Sequence, residues 1–386
     1  MRIKKTFFLF LLSCILSVGF ISSQAFASDL DKPSDENLIK DTINSYFSTT
    51  LESVSNNQSG NYDDVILNSI FKEYVQLNDK YLCDINKGLN RTLTNYDFNI
   101  IYNNIEINDK AVIDLNFENA LTYNENSEIY TSTSNTNHII VLEKYNNKWY
   151  VNKDIYDPLD APNKEEINNE DYNQALLDFL KDSFKEIDIK IEGLTQMKVV
   201  GKLDDFKKAP QLKSNSLTAS TMAATRYYPA SAVDYAKRYW KNYNPNFPAY
   251  ENDCANFVSQ CLNYGGVGRT DTFNYFGGKA GGTSAWIRVE EQHDYLVNNG
   301  FAYSREYSLG KVGTMSYYSK PGDVINFYNS FYRRYNHAGL VIERYLNNGQ
   351  DDLTFSAHTT DRNENSLRAV LAQTNLYSGL RLISMY

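Results

Sequence analysis

Cysteine and histidine are the residues of this chain whose positions could support covalent catalysis. Cys254 and Cys261 lie seven residues apart in the stretch NDCANFVSQCLNYGG. If this stretch is helical, Cys254, Phe257, Val258, Cys261 and Leu262 share one apolar face. The same pattern would also suit two small core residues, so the spacing alone leaves both roles open.

The two cysteines differ in their position on this predicted helix. Asn252 or Asp253 could cap its start, and Gly265-Gly266 would end it. Cys254 would then stand in the first turn, where free backbone N–H groups and the helix dipole favour a thiolate. The same N–H groups could bind an oxyanion. Cys261 would lie two turns further on, away from free amides, and is predicted to be a core residue.

A nucleophilic cysteine needs a base within hydrogen-bond reach, whatever the distance in sequence. His337 begins the strand-like stretch HAGLVIE, and His358 lies in the next such stretch, FSAHTT. If these strands pair, one of the two histidines could act as the base and the other could orient it through a ring nitrogen, with Asp361 as the alternative orienting residue.

The chain has four histidines, and two of them have structural interpretations. His138 enters a predicted strand beside apolar residues, and His293 shares a helix face with apolar residues. A zinc site built from Cys254, His337 and His358 is disfavoured, because no pair among them has the short spacing typical of zinc ligands. No metal or cofactor is expected.

The pattern of elements divides the chain into an α+β N-terminal domain and an α+β C-terminal domain. Residues 28–160 show helical periodicity followed by alternating strands, an order that resembles the nuclear-transport-factor-like cone folds. Residues 161–222 form a helical segment and a linker rich in Ser, Thr and Ala. Residues 223–386 begin with helices and continue into a small antiparallel sheet that would carry the histidines.

The first 27 residues have the layout of a secretory signal peptide. A basic start and an apolar run precede the small-residue site Ala25-Phe26-Ala27, which predicts cleavage before Ser28 and a secreted or wall-associated protein. A lipid anchor on Cys14 is the alternative. No later apolar run is long enough to span a bilayer.

Charge is unevenly distributed along the chain. Loss of three basic residues with the signal peptide moves the net charge from −9 to −12. Residues 28–222 carry a net charge of −14, and residues 223–386 carry +2. This acidic balance excludes nucleic acid as the partner of the whole chain.

Five motifs in order give the C-terminal part a family likeness. They are NDCANFVSQCLNYGG, AWIRVEEQHDYLVNNG, PGDVINFY, NHAGLVIE and FSAHTTDR. Together they resemble the putative amidase domain family of exported bacterial proteins, which is related to the NlpC-type and CHAP cell-wall hydrolases. The resemblance implies a papain-like cysteine hydrolase fold over residues 223–386.

The resemblance also implies roles and a substrate. Cys254 matches the nucleophile, His337 the general base and His358 the third position. The expected activity is hydrolysis of an amide bond in peptidoglycan through a thioester. Two alternatives keep the fold: a cell-wall-binding protein without activity, and a transpeptidase that passes the acyl group to an amine.

Overall fold

The structure of the chain is a computed structural model that describes residues 34–125, 128–195, 227–277, 281–347 and 350–386. Residues 34–195 are called the N-terminal module, and residues 227–386 the C-terminal module. The predicted signal peptide and residues 196–222 of the predicted linker lie outside the described residues.

Helices and strands alternate in blocks along the chain. The helices are α1 (Asp35–Asn56), α2 (Ser69–Gly88), α3 (Tyr172–Ser183), α4 (Ile187–Thr195), α5 (Pro229–Tyr239), α6 (Cys254–Tyr264), α7 (Ser284–Ile287), α8 (Val289–Asn298), α9 (Val312–Tyr318) and α10 (Leu367–Leu371). The strands are β1 (Arg91–Ile107), β2 (Lys110–Glu125), β3 (Glu128–Tyr145), β4 (Lys148–Tyr156), β5 (Ala302–Ser308), β6 (Val324–Asn329), β7 (Arg334–Asn347), β8 (Gln350–Ala357), β9 (Arg362–Ser366) and β10 (Tyr377–Met385).

The N-terminal module packs helices on a four-stranded antiparallel sheet of order β1-β2-β3-β4. Helix α1 begins where the Ser34 side chain accepts a hydrogen bond from the backbone N–H of Asn37. The alternating stretch HIIVLEKYNNKWYVNKD predicts a hairpin with its turn at Asn146-Asn147, and both residues have positive φ between β3 and β4. The sequence of helices followed by an antiparallel sheet therefore agrees with the expected α+β class.

The C-terminal module is built on a six-stranded antiparallel sheet of order β5-β10-β6-β7-β8-β9. One face of this sheet packs against α5, α6, α7 and α8 in a core that contains Phe257, Trp286 and Leu340. The helices precede the sheet in sequence, as the residue pattern predicted, and the module is α+β.

The other face of this sheet shares a core with the N-terminal module. Phe327, Phe355 and Leu382 from the sheet belong to the same buried cluster as Ile43 and Trp149 of the N-terminal module. The two modules are therefore joined by continuous apolar packing, which the sequence pattern did not predict.

Among the described residues, no helix combines the length and the apolar character needed to cross a membrane. The apolar faces of the helices are covered by the two cores instead.

Candidate functional site

Cys254 is the first residue of α6, as the sequence predicted. Its side chain lies on the apolar face of α6, and 3% of the residue is exposed. The thiol is 3.7 Å from the carbonyl oxygen of Asn336. Backbone N–H groups of Ala255 and Ala338 also point at the sulfur and favour its charged form. Cys254 thus meets both a helix N-terminus and the start of β7.

Cys261 lies two turns further along the same helix and is fully buried in the core. Burial raises the pKa of its thiol well above the ordinary range. Its position is that of the predicted core residue.

His337 occupies β7 directly opposite Phe327 of β6, so both side chains lie on the sheet face that the N-terminal module covers. The imidazole is fully buried. Neither ring nitrogen has a hydrogen-bond partner among the described residues. Burial, followed by the positive charge of Arg362, lowers the pKa of His337 to about 3, so the ring is neutral in this arrangement.

The N-terminal module contributes a third group to this pair. Ligand atoms of Asp160, Cys254 and His337 all lie within 4.8 Å of one another. In a catalytic triad the carboxylate binds the ring nitrogen that faces away from the nucleophile. Here the Asp160 carboxyl lies within 4.8 Å of the thiol, and neither ring nitrogen of His337 has a hydrogen-bond partner among the described residues, so Asp160 does not take that position.

Asp160 belongs to a short acidic segment, residues 157–161, which we call the strap. The strap follows β4, and its Asp160 carboxyl lies within 4.8 Å of the Cys254 sulfur and of a His337 ring nitrogen. Its ends are fixed by the C-terminal module, since the backbone N–H of Ala161 donates to the Asn252 side chain at 3.2 Å. Arg362 donates to the carbonyl oxygen of Pro158 at 2.8 Å. Because Cys254 is 3% exposed and His337 is fully buried, substrate cannot reach the thiol in this arrangement.

Burial also sets the charges of the covered site. It raises the pKa of the Asp160 carboxyl well above its usual range. It raises the pKa of the Cys254 thiol as well, and the negative charge of Asp160 adds to that effect. The closed arrangement therefore disfavours the thiolate–imidazolium pair that nucleophilic catalysis requires.

His358 does not orient His337, contrary to the sequence prediction. Its Nδ1 lies 2.5 Å from a carboxylate oxygen of Asp253, and its Nε2 lies 2.7 Å from the carbonyl oxygen of Tyr239. The ring is stacked between Tyr243 and Phe257 at centroid distances of 3.8 and 4.0 Å. Both ring nitrogens are thus occupied, which leaves none for His337.

Asp361 and Asp253, which the sequence offered as an orienting residue and as a helix cap, both have other hydrogen-bond partners in the structure. Asp361, the alternative orienting residue, accepts a hydrogen bond from the Tyr243 hydroxyl at 2.8 Å. Asp253 makes no side-chain cap to α6. Its carboxylate accepts hydrogen bonds from the Tyr250 backbone and the Asn256 side chain instead, in addition to its contact with His358.

The Asp253–His358 pair has a positioning role, because Asp253 directly precedes Cys254 in the chain. Both side chains are about 1% exposed. We expect His358→Ala to lower the free energy of unfolding by about 3–5 kcal/mol, since it leaves a buried carboxylate without its partner. Urea unfolding measures this loss. The control His293→Ala removes a half-buried ring from the module surface and should cost about 1 kcal/mol or less. A loss at His358 no larger than that of the control would contradict the positioning role.

His138 lies in the N-terminal module and has a partner at both ring nitrogens. Nδ1 lies 2.7 Å from Asp154 and Nε2 lies 2.9 Å from the Thr136 hydroxyl. Such a fully partnered, buried ring agrees with the structural interpretation.

The donor set near Cys254 could also hold a metal ion. A thiolate, an imidazole and a carboxylate are ligands of Zn²⁺, with one position left for water. In the structure Asp160, and not His358, lies close to Cys254 and His337. Sequence reasoning missed Asp160, because nothing local in YDPLDAP connects it to a cysteine 94 residues further along the chain.

The fold and the site define the C-terminal module as an α+β domain with a cysteine–histidine pair where a helix N-terminus meets a sheet. Residues 226–379 match the model of the family described as the putative amidase domain. The match indicates an amidase-like domain and amide hydrolysis.

A curated protein is also similar to part of this chain. The chain is 28% identical over 127 residues to the uncharacterized protein YhbB of Bacillus subtilis (strain 168). The aligned stretch covers 31% of this chain and 39% of that relative. No solved structure matches the chain.

Proposed function

We propose that the protein is a cysteine-dependent amidase that cleaves an amide bond through a thioester. The observation that carries this proposal is the meeting of Cys254, in the first turn of α6, with His337 at the start of β7. The order of elements, with the cysteine on a helix and the histidine on the following sheet, supports a papain-like arrangement.

The reaction is a two-step acyl transfer. His337 takes the proton of the Cys254 thiol, the sulfur forms a bond to the amide carbon, and the C–N bond breaks as His337 passes that proton to the leaving amine. His337 then takes a proton from water, whose oxygen attacks the thioester carbon and releases the thiol. The backbone N–H of Cys254, free at the helix start, supplies one donor to the oxyanion.

Catalysis requires the strap to move. The thiol is almost entirely covered, and the carboxyl of Asp160 lies where the substrate carbonyl would approach Cys254. The closed arrangement is therefore a latent form, and the active form has residues 157–161 displaced from the site.

We propose peptidoglycan as the substrate, because the N-terminal sequence has the pattern of an export signal and the family likeness is to exported hydrolases. A wall-binding protein and a transpeptidase remain the alternatives. Both retain the fold, but a wall-binding protein would form no product and a transpeptidase would form a product with an added amine.

Digestion of purified peptidoglycan tests this proposal. The chain from Ser28 and its Asp160→Ala variant are incubated with the polymer, and new termini are identified by mass spectrometry. We expect soluble fragments with a new amine and a new carboxylate at one type of amide bond. Binding without new termini would favour the wall-binding protein, and products with an added amine would favour the transpeptidase. Activity that survives a thiol reagent but is lost with a chelator would favour the metal site.

A further inference from the structure

The strap contains a second acid, Asp157, whose carboxylate is held by side chains of the C-terminal module. Asn329 donates to Oδ2 at 2.8 Å, and Asn336 donates to the same oxygen at 3.1 Å. The Tyr377 hydroxyl lies 2.5 Å from Oδ1. Three donors from three different strands therefore converge on one carboxylate.

A guanidinium completes this donor set. Arg362 interacts electrostatically with Asp157 and is 4% exposed. Its Nε has no hydrogen-bond partner among the described residues. Arg362 therefore has one hydrogen-bond donor, Nε, that the strap does not use.

Two of the donors belong to the buried part of the sheet. Asn329 and Tyr377 are fully buried. The Asn329 side-chain oxygen accepts a hydrogen bond from the Tyr332 backbone at 3.0 Å, which directs its amide nitrogen towards Asp157. This contact lies within the C-terminal module, so the Asn329 amide keeps its direction when the strap leaves.

The donor set also lies beside the candidate catalytic pair. Asn336 directly precedes His337, and its carbonyl oxygen lies 3.7 Å from the Cys254 sulfur. Displacement of the strap would leave a guanidinium and three polar side chains without their carboxylate, next to the reacting atoms. Unpaired buried donors are costly, so a second carboxylate would bind there favourably.

We propose that Asn329, Asn336, Tyr377 and Arg362 form a carboxylate subsite for the substrate, and that the strap occupies this subsite as an internal substrate mimic. This inference rests on the proposed amidase function. Asp157 and Asp160 are three residues apart, which spans at most about 10 Å of extended chain. The substrate is therefore a peptide amide with a free carboxylate within about three residues of the bond that is cut.

Matched peptides test the subsite in the Asp160→Ala variant, which loosens the strap and keeps all four donors. One pair carries Glu or Gln near the scissile amide, and a second pair ends in a free carboxylate or a carboxamide. We expect KM to be at least tenfold lower for one carboxylate member, and the pair that discriminates identifies the carboxylate as side-chain or terminal. Adding Tyr377→Phe should reduce the discrimination to about threefold or less, whereas Tyr328→Phe should leave it intact. Equal KM values within both pairs would overturn the inference.

Acetate binding provides a readout that does not depend on amidase activity. Asp157→Gly removes the whole carboxymethyl side chain and leaves an acetate-sized space lined by the donors, so acetate should raise the melting temperature by a few degrees while acetamide should not. If this variant folds poorly, the refolding yield with acetate and with acetamide gives the same comparison. Equal effects of the two additives would overturn the subsite. Acetate-specific stabilisation without hydrolysis of any peptide would uphold the subsite and refute the amidase proposal.

Discussion

Cys254→Ala is expected to reduce amide hydrolysis by at least about 10³-fold, because no other described thiol meets a helix N-terminus and a histidine. The alanine removes the atom that forms the thioester, and the remaining oxyanion donors supply only residual rate enhancement. The measurement is kcat/KM on one purified peptide amide, made in the chain from Ser28 and in the Asp160→Ala background. The second background ensures that a latent wild type does not hide the effect.

Cys261→Ala is the matched control for this substitution. It removes a thiol from the same helix, two turns away and fully buried in the core. Some stability should be lost because a buried sulfur is deleted, but kcat/KM of the folded enzyme should stay within about threefold of its parent. Equal losses for Cys254→Ala and Cys261→Ala would show that both act through folding, and the nucleophile would then have to be sought elsewhere.

Asp160→Ala is expected to raise both amide hydrolysis and alkylation of Cys254 by iodoacetamide by about tenfold or more. The substitution removes the carboxyl that lies beside the thiol and disfavours its ionisation. A tenfold gain corresponds to about 1.4 kcal/mol, which is the size of effect expected from weakening one buried contact. Stopped alkylation reactions followed by mass spectrometry give the rate at Cys254 separately from the other cysteines.

Glu165→Ala controls for the loss of one acid from the same region, since Glu165 is an exposed residue just beyond the strap. It should leave both rates unchanged. If Asp160→Ala lowered hydrolysis while alkylation rose, Asp160 would be a participant in catalysis instead of a block to it. If neither rate changed, the strap would not control access to the thiol.

Together these expectations describe an amidase whose N-terminal module closes its own site. The shared core between the modules helps to hold the strap in place. Phe327 and Phe355 of the C-terminal sheet belong to the same buried apolar cluster as residues of the N-terminal sheet. Opening of the site then means a local departure of residues 157–161, without separation of the whole module. The three-residue spacing of Asp157 and Asp160 places one acid in the donor set and the other beside the thiol.

Several local features of this protein could be read from its sequence. The apolar stripe and the following glycines predicted α6 with Cys254 in its first turn, since helix periodicity and termination depend on nearby residues. The Asn146-Asn147 turn and the strand that begins near His337 were predicted on the same basis. The α+β class followed from the order of these elements.

Pairings between distant residues were decided by the tertiary structure. His358 was expected beside His337, yet it pairs with Asp253, which is 105 residues away in the chain. The contacts of Asp157 with Asn336 and Tyr377 join residues 179 and 220 positions apart. Periodicity reports which face of an element is apolar, but it carries no information on which loop of another module will cover that face. The sequence by itself therefore determined where the thiol stands on its helix, and only the packing of the two modules determined that an acidic strap lies over it.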